Sequence, residues 1–421
     1  MSRLADEARK TFSSMHVSRN FRLFFVGQLI SVSGTWVNAT AGAVLVLHLT
    51  NSGVALGIEA ALLFLPVLLF GPLGGTFADR YDKRLILLWA NAGYAALAAI
   101  QFVLVATGVV EIWMVFVIAF LSGLILAIEP PTRQAFYVEL VGEDHITNAV
   151  SLNSAIFTGT RVLGGAIAGT MIDTFGLSSP FLLDAVSYVG VIAALMAMRI
   201  GELHAQSKAV REPGLVRAGM RYVWGSRALR VPLVVMCLVY LFTFNFSVVI
   251  PLHAERTFLG SASEIGWLFA AIGLGAFLGA IAMANRQPDP SVRRLAGFSA
   301  AFGVFLAAEG LAPTFLLALM AMVPAGYVSM LFAITANSTL QRFTRADMRG
   351  RVMALYTTIF LGSTAIGGPI AGWVAERWGA PATFVASGAV AVAAGLVALR
   401  GSAPPPAGVE PSMAGTAARS A

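Results

Sequence analysis

The chain is divided into apolar blocks too long for the core of a water-soluble domain. The first runs from about Phe21 to Leu49, its span read as 22–48. Others follow near 54–78, 85–108, 112–134, 148–172 and 180–199, then near 231–251, 264–284, 295–311, 314–336, 351–373 and 381–399. A hydrocarbon core about 30 Å thick takes roughly 20 helical residues to cross. Peptide groups in lipid must bond within their own segment, so such blocks form helices. Composition agrees: 12% of the 421 residues are charged, against about 25% in soluble domains. The fold expected is an all-α membrane protein of twelve transmembrane helices.

Basic residues orient the chain. All but three of the 28 Lys and Arg fall at or near the face that carries the N-terminus. Arg256 and Arg377 fall on the other face, and Arg161 inside a block. The positive-inside rule makes the N-terminal face cytoplasmic, and twelve spans return the C-terminus there. The net charge of +7 is thus spread over short loops facing anionic lipid, which excludes nucleic acid as the partner. The first block also exceeds the apolar core of a cleaved signal peptide. Cys237 is the one cysteine, so no internal disulfide forms and no metal site is expected. No phosphate-binding loop or catalytic constellation points to ATP drive or to an enzyme, and no cofactor is expected.

The organisation expected is a cytoplasmic segment 1–20, a six-helix bundle 21–199, a connector 200–230, a second bundle 231–400 and a disordered tail 401–421. In the connector, LVRAGMRYVW sets Leu215, Met220, Val223 and Trp224 among basic residues that include Lys208, Arg211 and Arg217, the pattern of a helix lying at the inner leaflet. The halves repeat. GGAIAGTMIDTFG at 164–176 aligns with GGPIAGWVAERWG at 367–379, an offset of 203. A parallel repeat of half the chain is the layout of carriers that rock one half against the other.

The segment GGTFADRYDKR at 74–84 joins the second and third blocks. It resembles the loop signature of the major facilitator superfamily, with Gly75, Asp79, Arg80, Lys83 and Arg84 matching and Asp82 replacing the family's second glycine. The resemblance implies two six-helix pseudo-symmetric bundles. It also implies a gating role for this loop against the eleventh helix, which begins near Gly350 and Arg351. Three longer pieces, FRLFFVGQLISVSGTW at 21–36, EPPTRQAFYVELV at 129–141 and NAVSLNSAIFTGTRVLGGAIAG at 148–169, resemble the bacterial multidrug, macrolide and enterobactin-type exporters. The last resembles the glycine-rich fifth-helix motif of drug/proton antiporters, with Gly159, Gly164, Gly165 and Gly169 as packing glycines. The motif's usual proline is absent there and stands instead in the second copy, as Pro369.

Charges inside spans are costly unless paired or wetted. Glu129 and Arg133 are four apart, a spacing that pairs them on one helical face, and Pro130 and Pro131 should kink the segment. With Arg161 they are the proton-coupling candidates; a structural salt bridge is the other reading. At the aligned positions the second half has Phe332, Ala336 and Thr364, so coupling charge is expected in the first half. Glu59, Asp173, Asp184, Glu264, Glu309 and Glu376 fall at or near helix ends and are expected to be solvated, with His48 and His253 as bystanders. By the resemblance, Trp36, Asn38, Tyr240, Asn245 and Tyr327 line the substrate cavity. Aromatic walls with few polar groups suit amphipathic organic molecules.

The function expected is proton-coupled export of a drug, macrolide, siderophore or secondary metabolite by a monomer in a bacterial plasma (inner) membrane, with membrane lipid and protons as its other partners. An importer or lysophospholipid carrier of the same fold, and a non-transporting sensor, remain open.

Overall fold

The computed structural model describes residues 13–204, 215–286 and 290–401. The tail 402–421, residues 1–12, and Lys208 and Arg211 lie outside the described residues, as do the side chains of Gly75, Asp79 and 214–218. Among the described residues all regular structure is helical. The spanning helices are α1 Arg19–Thr50, α2 Gly53–Arg80, α3 Lys83–Ala106, α4 in two pieces Ile112–Leu126 and Glu129–Val141, α5 Ile146–Phe175 and α6 Ser179–Met196. The second set is α7 in two pieces Arg227–Thr243 and Phe246–Phe258, α8 Ala262–Arg286, α9 Val292–Gly310 and α10 Phe315–Phe343. Helices α11 and α12 share Arg349–Gly401, broken where Gly379 leaves helical geometry. The least apolar, α9, carries Arg293, Arg294 and Glu309.

Two breaks have local causes. In α4 the chain stops at Ala127 and restarts at Glu129 with proline in the first turn, where a missing N–H costs nothing. The break in α7 at Phe244–Asn245 was not expected from the continuous apolar block. There Asn245 turns its side chain back to the Leu241 carbonyl, at 2.7 Å, and competes with the helical ladder. The connector holds a helix, Leu215–Gly225, whose Val223 is buried and whose Met220 and Trp224 are exposed. A side chain at Gly219 would sit 3.1 Å from the Arg351 carbonyl, so this helix is packed on the start of α11.

Each half forms one bundle, and the bundles meet through small residues. Lipid offers no hydrophobic drive between helices, so close backbone approach supplies the attraction. Gly57 lies against Gly368 and Gly53 against Gly372, joining α2 to α11; Gly165 lies against Gly266 and Gly169 against Ala262, joining α5 to α8. These contacts occupy the half of the bundle remote from the termini, termed the far face. Deeper in, at Gly159, a side chain would meet open space.

Candidate functional site

The interior of the first bundle holds a chain of polar side chains. Arg133 Nε lies 3.5 Å from Glu129 Oε1, with both side chains 9% exposed. Arg133 Nη1 donates to Gln28 Oε1 at 3.0 Å, and its guanidinium lies 4.8 Å from the centre of the Phe157 ring. Tyr137 donates to Asn153 Oδ1 at 2.7 Å. Further towards the far face Tyr94 stacks on Tyr188, whose hydroxyl is 3.1 Å from Thr35 Oγ1. The series ends at Asp184, buried on α6, where Oδ2 accepts from Asn38 at 2.6 Å and Oδ1 has no partner. Asp184 is thus an interior group rather than a solvated helix end, because α1 runs past it and covers it: a side chain at Gly34 would meet Asp184 Oδ1 at 2.8 Å.

Arg161 stands on the same α5 face as Asn153 and Phe157, spaced four residues apart. Its guanidinium lies 5.3 Å from the centre of the Trp36 ring, a cation–π contact worth about 0.5–2 kcal/mol. Among the described residues no acid pairs with it, and the Trp36 indole N–H is buried without a partner. A buried donor left unpaired costs about 1–3 kcal/mol, so this part of the interior favours an arriving acceptor.

The second bundle answers with an aromatic wall. Tyr240 is fully buried, ringed by Phe244, Phe332 and Phe360, with its hydroxyl 3.3 Å from that of Tyr356. Tyr356 and Phe360 stack at 9° on α11, and Phe360 shows an exposed edge. The sequence reading missed these two because it sought cavity residues on helices one, four, seven and ten. Of the remaining candidates, Asn245 is buried against Gly367 at the α7 break, and Tyr327 is partly buried where Gly275 and Gly279 of α8 approach its backbone. A groove of about 500 Å³ opens on the flank between α2, α3 and α4, lined by Phe77, Tyr81 and Trp89 among others. None of the cavity candidates lines it.

The segment 74–84, expected as a loop, is largely helical: 74–80 form the last turns of α2, 83–84 begin α3, and only Tyr81 and Asp82 link them. Arg80 is exposed, Asp82 caps α3 by accepting from the Leu85 N–H at 3.1 Å, and Lys83 Nζ lies 2.6 Å from Glu139 Oε1. Arg84 Nε donates to the Leu195 carbonyl at 2.7 Å. The basic pair therefore ties α3 to α4 and α6 within its own bundle. Across the loop's expected partner, Gly350 is exposed with open space around it, and Arg351 donates to Met348 Sδ.

At the far face the bundles are joined by acids from both. Asp173, three residues before the end-glycine of α5, accepts from the Ser263 N–H at 3.1 Å and the Ser261 hydroxyl at 3.0 Å, and also from the Ser263 hydroxyl. Glu376 on α11 accepts from the Gly53 N–H at 2.6 Å and pairs with Arg256 at 3.2 Å. Arg256 also donates to the Asn51 carbonyl. Interior charge is not confined to the first half either: His253 and Glu309, expected as a bystander and a solvated end, are both fully buried, 3.6 Å apart.

Two bundles of membrane-spanning helices, one with buried charge and the other with a cluster of rings, make this a multi-pass membrane protein. Residues 11–413 match the family described as transmembrane secretion effector, and the chain belongs to that family, within the major facilitator superfamily. It is 28% identical to the multidrug efflux pump Tap of Mycobacterium tuberculosis, over 90% of this chain and 92% of that protein. It is 22% identical to macrolide efflux protein A of Streptococcus pyogenes, over 90% and 94%. In fold it is similar to the crystal structure of the nucleoside transporter NupG, with a TM-score of 0.72 over 91% of this chain and 99% of that one, at 12% identity.

Proposed function

We propose that this transporter exports small amphipathic organic molecules by proton antiport and alternating access, as a monomer in a bacterial inner membrane with its terminal face in the cytoplasm. The observation that carries the coupling is the Glu129–Arg133 pair. It is buried in the first bundle, one partner already shared with Gln28, and the uncommitted cation Arg161 lies on the same helix as Phe157 beneath it. A buried ion pair is sustained only while both charges remain. Protonation of Glu129 leaves Arg133 unbalanced, and that imbalance is relieved by water or substrate reaching the interior, which biases one arrangement of the bundles over the other. The aromatic wall of Tyr240, Tyr356 and Phe360 supports an apolar, ring-bearing cargo. The names of the efflux relatives support the direction of transport. In the terminal-face-open arrangement, substrate reaches the seam from the cytoplasm or inner leaflet; the 74–84 loop closes that face in the alternate one.

Everted membrane vesicles test this with ethidium and erythromycin as probes. A proton gradient, acid inside, should drive accumulation that an uncoupler collapses. Accumulation indifferent to the uncoupler ends the antiport reading. Glu129→Gln should abolish gradient-driven accumulation at equal expression, and Arg161→Ala should reduce it at least about tenfold, the cost of about 1.4 kcal/mol.

A further inference from the structure

We propose that His253 and Glu309 form a second proton site, in the C-terminal half, which exchanges its proton when the far face opens and traps it when that face closes. The proposal rests on the proton-coupled reading above but not on Glu129 as the coupling group. His253 lies on the second piece of α7 and Glu309 at the penultimate position of α9. Both side chains have zero exposure, with Nε2 3.6 Å from Oε1. His253 Nε2 and both Glu309 oxygens lack any hydrogen-bond partner, while His253 Nδ1 is 3.1 Å from the Thr257 hydroxyl. The rings of Phe258 and Phe384 stand edge-on to the imidazole at 4.8 and 5.2 Å, and Phe315 backs Phe258.

Proton counting follows from that seclusion. With one titratable proton between them the two groups are neutral overall, as imidazole and carboxylic acid or as an ion pair. Removing it leaves a bare buried anion, and adding a second leaves a bare buried cation; either costs several kcal/mol without water or a counter-charge. Among the described residues neither group has an ion-pair partner other than the other. On α7 itself Arg256 is engaged by Glu376 and Asn51, and Glu255 precedes it; α11 also brings the exposed Arg377, and α8 brings Glu264, which is bonded to Ser261. Helices α1 and α2 bring His48 and Glu59 to this end of the bundle, and α12 brings only rings and small side chains. Closed, the pair keeps its one proton to higher pH than it does when wetted.

Opening changes the count. His253 is one turn before Arg256, and Thr257, which holds the imidazole, lies between Arg256 and Phe258. When Arg256 releases Asn51 and Glu376, the segment carrying His253 moves with it, away from Glu309 on α9, and water reaches both groups. A wetted histidine and glutamate retain one proton near pH 5 and none near pH 8, given free values of about 6.5 and 4.3. The closed arrangement therefore binds more protons above about pH 6.5, and raising pH favours opening.

The test is electron–electron distance measurement between spin labels at Phe175→Cys and Leu311→Cys, exposed positions at the far ends of the two bundles, in a Cys237→Ser background in lipid nanodiscs. The parent should show more of the long-distance, open population at about pH 8 than at about pH 5. The double variant His253→Gln/Glu309→Gln should lose that pH response, and Glu309→Gln alone should reverse it, because a lone buried imidazole is neutral when closed and gains a proton only when wetted; Glu129→Gln keeps the parent's response even if gradient-driven transport fails. A parent-like pH response in the folded double variant or in folded Glu309→Gln, or none in the parent, overturns the proposal. Loss of transport in Glu129→Gln bears only on the antiport reading, so the two failures are separable.

Discussion

The two acids at the far face stand at equivalent positions of the repeat, Asp173 in the first half and Glu376 in the second, yet they work differently. Each reaches across the seam to the first turn of the other half's second helix: Asp173 to α8 and Glu376 to α2. An acid at a helix N-terminus satisfies an otherwise orphan N–H and meets the positive end of the helix dipole. Asp173 does this with serine hydroxyls and an amide alone. Glu376 adds the guanidinium of Arg256, which also holds the Asn51 carbonyl. One copy is a hydrogen-bonded cap, the other a cap combined with an ion pair. The shared part comes from the scaffold, and the added cation makes one side sensitive to charge and to the conformation of α7.

The comparison can be broken most forcefully at the glycines beneath the acids. At Gly57 a methyl group would lie 2.6 Å from the Gly368 carbonyl oxygen, and at Gly165 2.7 Å from Phe269 Cβ. Gly57→Val should cost the closed arrangement about 1–3 kcal/mol, read as strong labelling of a cysteine introduced at the far face, such as Leu311→Cys, and loss of transport. Gly165→Val should act alike if the seams are equivalent. Next, Asp173→Ala and Glu376→Ala should each cost about 1 kcal/mol as lost caps. The double variant should cost roughly their sum if the two contacts act independently. A smaller effect separates them: Arg256→Ala should weaken closure by no more than about 1 kcal/mol and abolish its salt dependence, since both partners are partly exposed. Asp173→Asn should leave the salt dependence as it is. Smallest and most symmetric, Gly176→Ala and Gly379→Ala should each lower thermal stability by about 1 kcal/mol, because both positions have φ near +85°.

Much of the architecture was legible because lipid leaves the chain little choice: long apolar blocks marked the helices, and the repeat marked the halves. Pro130 and Pro131 announced the break in α4, and the four-residue spacing of Glu129 and Arg133 announced their pairing. The break at Asn245 was hidden, since one polar residue in an apolar run can pair with a neighbouring helix as readily as with its own backbone. Asp184, His253 and Glu309 were misplaced for one reason. Hydropathy locates where a helix ends but not whether its neighbours extend past that end and cover it. The far-face contacts were readable in principle. The alignment that paired the two glycine-rich segments also paired Asp173 with Glu376, and the signal lay in asking what two equivalent acids would meet. The aromatic wall on α11 needed the fold, because Tyr356 and Phe360 approach Tyr240 only once α7 and α11 are packed together.

Gly176 and Gly379 share more than a positive φ. They lie 203 positions apart with ψ of 165° and 158°, each three residues beyond its acid. Copies of a single six-helix chain set about a two-fold axis would make the same reciprocal grip, the acid of each seated on the second helix of the other, with one surface serving both sides. In those terms the far face is the contact of a homodimer fused into one polypeptide, and Arg256 is what fusion made possible: a residue that serves one side of the axis without having to suit the other.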